Sequence, residues 1–316
     1  MSQPDDFSDE PNGYSFTDDA MEGDLFSLTD ELDHQILMHR DAHFGGDFQV
    51  MIRYYEEEGV GTQPDFELDR IAYLVQVEQE LGQDLAALML TAPEAEQVAR
   101  ARSTYQQLKE IYSIEEEKSP FPRLLADLIL TEEEEPIREM EAVVAHGKRI
   151  VPELLNLLKT EEVYDPLFPG YGLAPALAAH CLGEIGGEEA VIPLFEMLGK
   201  KCVFEEEAIL SAFVSLGDTA RDFLIQQIQS RPLTQDTVHA AFALTAFAEE
   251  LDVARLALKT LQDPEVQSKP VLRSYLLHSC EVLRDHPEKE VLLELADNPT
   301  LLSSFREEIL SFTHHW

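Results

Sequence analysis

Positive charge is what this sequence has least of. Against 62 aspartates and glutamates stand 23 lysines and arginines, a formal net charge of −39. A surface of that sign repels phosphate backbones and anionic headgroups, which argues against direct nucleic-acid binding and against a membrane-surface role. A basic protein is the partner it favours. Cysteine is nearly as scarce: Cys181, Cys202 and Cys280 form an odd set without framework spacing, which excludes a disulfide scaffold and fits free thiols in a reducing compartment. No apolar run reaches membrane length, and no basic segment followed by an apolar stretch resembles a secretion signal, so the expected location is cytoplasmic.

What is present is enough apolar residue, 44% of 316, to bury a substantial core. The acidity is concentrated at the front: residues 1–162 carry 38 acids and 12 bases, a net −26, and residues 163–316 carry the remaining −13. Residues 1–28 hold no lysine or arginine, and Phe7, Tyr14, Phe16 and Phe26 follow no helical period, so this segment reads as a disordered acidic arm. From Thr29, a candidate cap, apolar residues recur at three- and four-residue steps. Asp47 is placed to cap a second helix, Pro64-Asp65 opens a third, and Thr91-Pro93 opens another, which predicts a helical bundle over 29–117. The charged, proline-punctuated "EEEKSPFP" (115–122) reads as a joint.

Residues 118–316 repeat themselves. Aligning each first helix on the residue after its last apolar position puts corners at Gly147, Gly186, Gly217, Ala248 and Arg284, with steps of 39, 31, 31 and 36. Two-helix solenoid repeats have steps of roughly 30–47 residues. In "LAAHCLGEIGGEEAVIPLFEML" (177–198), Leu177, Leu182 and Ile185 share one helix face. Ala178, Ala179 and Gly183 leave room for a neighbouring helix, and Gly186 ends the first helix. The double glycine is not a phosphate loop: no lysine-serine/threonine pair follows it, and Glu188 and Glu189 would repel a phosphate while suiting the start of the next helix.

That stretch resembles the HEAT-like repeats of the phycobilisome-lyase type through Ala179, Leu182, Gly183, Gly186, Ala190, Val191, Pro193, Leu194 and Leu198. "VSLGDTARDFLIQQI" matches next best, and the resemblance extends over about 121–298. It implies a right-handed α-solenoid and, because such repeats usually bind proteins, a protein partner. No signature of lyase chemistry accompanies it. The DNA glycosylases that share this architecture rely on a basic concave face, which a balance of −13 does not supply. The expected fold is therefore all-α: a helical bundle followed by a short HEAT-like α-solenoid of about five helix pairs, closed by a capping helix near 299–312.

Three stretches are candidates for chemistry or contact. His39 and His43 are four apart, with His34, Asp41 and Asp47 nearby; His34, His39, His43 and Asp47 form a candidate zinc or iron ligand set. Against it, Gly45-Gly46 signals a helix end, where histidines are also favoured by the dipole or by packing, and no HExxH glutamate is present. "YDPLFPGYG" (164–172) interrupts the repeat and offers Tyr164, Leu167, Phe168 and Tyr171, stiffened by two prolines, as candidate partner contacts or as a cover for the preceding repeat. Cys181 and Cys280 read as core, whereas Cys202, after two lysines in a turn, is the accessible thiol. The glutamate runs ending at Glu135 and Glu207 read as preceding first helices rather than as calcium loops.

No cofactor is implied and no catalytic constellation stands out. The leading expectation is a non-enzymatic protein-binding scaffold or adaptor. The alternatives are a metal-dependent enzyme or metal sensor built on the histidines, and an acidic chaperone or nucleic-acid mimic that sequesters a basic client.

Overall fold

The computed structural model describes residues 31–57, 65–113, 119–133, 135–199 and 203–316. The acidic arm, the Thr29 cap, Pro64, Cys202 and residues 115–118 of the 115–122 joint lie outside the described residues. Among the described residues every regular element is helical, so the fold is all-α. The chain divides into two compact units, residues 1–102 and 103–316.

In the first unit the predicted starts and stops are legible in the hydrogen bonds. Helix α1 (Glu31–His43) ends before Gly45-Gly46, and the Asp47 carboxylate caps α2 (Phe48–Glu56) by accepting from the amides of Gln49 and Val50. Helix α3 (Leu68–Leu81) is followed by the short α4 (Leu85–Met89), capped by Asp84. Helix α5 (Ala92–Tyr112) begins where the Glu94 carboxylate accepts from both the amide and the hydroxyl of Thr91. Ile36, Leu37, Met51, Ile71 and Leu74 make the fully buried centre of this unit, each stabilising it by about 1.5–3 kcal/mol.

The second unit opens within α5, at Ser103, and after α6 (Phe121–Leu130) continues as helix pairs: α7 (Ile137–Val144) with α8 (Val151–Lys159), α9 (Ala174–Ile185) with α10 (Val191–Met197), and α11 (Val203–Leu216) with α12 (Asp218–Gln229). Then come α13 (Gln235–Leu244) with α14 (Leu251–Leu261), the single turn α15 (Pro264–Gln267), α16 (Pro270–His278) with α17 (Lys289–Asp297), and the last helix α18 (Ser303–Thr313). First helices pack in order, α7 on α9 and α9 on α11, then α13 on α16 and α16 on α18; second helices do the same, α8 on α10 and α10 on α12. The link between the two runs is α12 against α13.

Two sequence features explain this packing. Gly186 and Gly217 hold φ of 73° and 60°, a conformation that side chains with a Cβ resist, and so turn the chain between the helices of a pair. At the corners without glycine, next to Ala248 and Arg284, the chain uses short 3-10 turns, Thr245–Phe247 and Glu281–Asp285. Gly183 does the other job expected of it: a Cβ there would lie 2.7 Å from Cα of Ala212, so its absence lets α9 and α11 approach backbone to backbone. One expectation is corrected: Glu205–Glu207 do not precede α11 but fall inside it, since the helix begins at Val203. Acidic residues near a helix start are favoured by the dipole, which accommodates the run within the helix.

Ion pairs recur between the starts of successive second helices. Lys148, just before α8, meets Glu189, just before α10 (3.7 Å); Arg221 of α12 meets Glu250, which precedes α14 (2.7 Å); Arg255 of α14 meets Glu288, which precedes α17 (2.6 Å). Exposed pairs contribute only about 0–1 kcal/mol each. Each links the start of one second helix to the start of another.

Candidate functional site

The four candidate metal ligands go to different tasks. His39 and His43 do share a face, as the four-residue spacing predicts, and their rings stack with centroids 5.1 Å apart and planes 13° from parallel. Phe66 meets His39 edge-on. His34 turns to Glu94, with Nδ1 3.0 Å from the carboxylate, and Asp47 is used as the α2 cap. Among the described residues no three His, Cys, Asp or Glu side chains are grouped to hold a metal ion.

Burial holds the His39 imidazole down at about 4, and burial together with the neighbouring His39 holds His43 at about 3. Both rings are thus neutral in the fold, which corrects the dipole reading: packing, not a charge at the helix end, places them there. A base whose folded pKa lies below its unfolded value of about 6.5 binds its proton better when unfolded. Its stabilising effect is complete above pH 6.5 and is lost as pH falls towards 4. We expect α1 and α2 to lose hydrogen-exchange protection, corrected for intrinsic rate, across that window, and the loss to flatten in His39→Gln/His43→Gln. An unchanged slope in the double variant would contradict this assignment.

Sequence reading missed the strongest electrostatic feature of the unit. Arg40 is 1% exposed and donates Nε to Asp41 (2.8 Å), Nη1 to Glu78 (2.6 Å) and Nη2 to Asp84 (2.6 Å), while its guanidinium lies over the Phe48 ring. Burial alone would lower its pKa; the hydrogen bonds it donates to Asp84, Asp41 and Glu78, with the nearby Asp41 charge, outweigh that and raise it. Fully buried Asp33 is matched by a two-pronged contact from Arg70, 2.6 Å on each oxygen. The signal was available: Asp33, Ile36, Leu37 and Arg40 form one helical stripe, so two charges sit on an apolar face.

The 164–172 segment is divided between core and surface. Leu167 and Tyr171 are buried against the chain's own interior, which corrects their place among the partner contacts, because they have no area left to offer. Tyr164 and Phe168 are half-buried; the Tyr164 hydroxyl donates to the carbonyl of Leu158 and lies 3.7 Å from Met197 Sδ. Cys181 and Cys280 are buried, and burial pushes each thiol up to about 12, so neither is poised to react.

The second unit carries a surface concavity. Between α7 and α9 lies an open pocket of about 250 Å³ lined by Glu135, Ile137, Met140, Glu141, His180 and Glu184. His180 and Glu184 are one turn apart on α9, and Ile137, Met140 and Glu141 are one turn apart on α7, so two helix faces converge on it. Ile137 is 63% exposed, high for a side chain of its kind. None of the lining residues is a lysine or arginine. Among the described residues no ion pair or hydrogen bond engages the Glu135, Glu141 or Glu184 carboxylates. No family model, curated protein or solved structure matches the chain. Function therefore has to be argued from this surface and its charge. No helix among the described residues is long and apolar enough to cross a membrane.

Proposed function

We propose that the protein is a non-enzymatic adaptor whose helix pairs stack as a HEAT-like solenoid and hold a basic protein partner. The ordered packing of first on first and second on second helices supports the stacking, as do the recurrent ion pairs between second-helix starts. Stacked repeats leave one side chain row per helix free of core duty, and that surplus surface is where such proteins bind. The observation that carries the reading is the separation of charge: Lys148, Arg221 and Arg255 are engaged by acids at second-helix starts, while the carboxylates lining the α7–α9 pocket have no cation partner among the described residues.

Capture from native lysate on the full chain, eluted in steps of rising salt, tests this. Apolar Ile137 and Met140 among the carboxylates predict a stoichiometric partner that survives moderate salt. Release of an assortment of basic proteins at low salt would instead fit a sequestering polyanion and would remove the adaptor reading.

A further inference from the structure

We propose that the α7–α9 pocket receives one arginine or lysine side chain from a basic segment of the partner. The inference rests on the adaptor reading and names the chemistry of its contact. The pocket is smaller than the roughly 300–1,000 Å³ of small-molecule sites, which points to a single long side chain rather than a cofactor. Its lining is of two kinds. Ile137 and Met140 supply apolar surface, and Glu135, Glu141 and Glu184 supply carboxylates, so an aliphatic stem can lie along the first while its cationic head reaches the second.

Other occupants fit less well. A metal ion needs ligands converging on one point, and no such group is present among the described residues. The chain's own first 28 residues contain no lysine or arginine and carry eight acids, so they are repelled by these carboxylates. A nucleic acid is repelled for the same reason. A free cationic side chain, by contrast, meets carboxylates that no lysine or arginine among the described residues pairs with, and opposite charges attract.

Ile137 and Met140 provide the readout. In full-length protein labelled at isoleucine and methionine methyls, titration with a capped peptide carrying one arginine between glycines and serines should shift both signals. The matched peptide carrying norleucine should not. Glu141→Gln/Glu184→Gln should weaken the arginine peptide about fivefold, the effect of roughly 1 kcal/mol of ion pairing, and Ile137→Ser should weaken it as well. Glu290→Gln/Glu294→Gln, an equal charge change on exposed positions of α17, should alter binding less than about twofold.

Equal losses in the two double variants would overturn the pocket, because diffuse charge would then account for binding. So would methyl signals that do not respond to the arginine peptide. The two proposals fail separately. A lysate partner retained in full by Glu141→Gln/Glu184→Gln refutes the pocket and leaves the adaptor standing. Absence of any partner refutes the adaptor, while the methyl titration still decides the pocket.

Discussion

Replacing Gly170 with alanine should destabilise the second unit on the order of 3–5 kcal/mol, as much as truncating a fully buried core side chain. A Cβ at this position would lie 1.7 Å from the carbonyl oxygen of Ile129 and 2.9 Å from its carbon, which are backbone atoms that cannot swing aside. Residue 170 also has φ of 80°, a region an alanine resists. The two terms add, because relieving the contact requires moving the 164–172 segment off the end of α6. Gly147→Ala is the matched control: its φ is 54° but nothing lies within 4 Å of the added methyl, so only the backbone term of about 1–2 kcal/mol applies. Thermal unfolding followed by Trp316, the single tryptophan, which packs against Phe312, reads both variants. Equal losses in the two would show that the segment is not seated on α6.

Arg40→Met is the other large effect, expected to cost the first unit about 3 kcal/mol. Methionine keeps an unbranched apolar stem and removes the guanidinium, and with it both the three carboxylate contacts and the cation over the Phe48 ring. Asp41, Glu78 and Asp84 then face one another without a cation. We place the loss at the lower end of the range for broken buried pairs because these acids retain 19%, 27% and 57% exposure and water can reach them. Adding Glu78→Gln to the methionine variant should restore part of the stability, since one repelling charge is gone, although the carboxylate that accepts from the Leu85 amide is also weakened. Hydrogen exchange across α1 to α4 measures the loss. Protection equal to that of the parent protein would mean the arginine is replaceable and the unit is held by its apolar centre alone.

The helices were legible in the sequence because their signals are local. Asp47 caps a helix through amides two and three residues away, Gly186 turns the chain where it stands, and Gly183 announces close packing by having no side chain. The features that escaped depend on partners far along the chain. Arg40 meets Glu78 and Asp84 across 38 and 44 residues, and only the tertiary fold shows that three acids converge on it. Leu167 and Tyr171 looked like contact residues because a proline-stiffened aromatic loop has the composition of an interface; what decides otherwise is a glycine fitting against the carbonyl of Ile129, some forty positions earlier. The α7–α9 pocket has the same character. Its two halves lie on helices separated by the inserted segment, and the acid run ending at Glu135 carried no sign that it would stand beside Glu184.

The His39–His43 pair shows a signal read correctly and a role read too broadly. The spacing did place both rings on one face. Metal binding required His34 and Asp47 as well, and each has a partner of its own, Glu94 sixty residues on for one and the adjacent α2 amides for the other.

The most direct test of the account is the hydrogen-exchange footprint of the full chain with the protein partner captured from lysate at moderate salt. Protection centred on residues 135–144 and 176–186, the two faces of the α7–α9 pocket, is the result the adaptor account predicts. Protection confined to residues 1–30, or spread evenly over acidic segments without a maximum there, would contradict it.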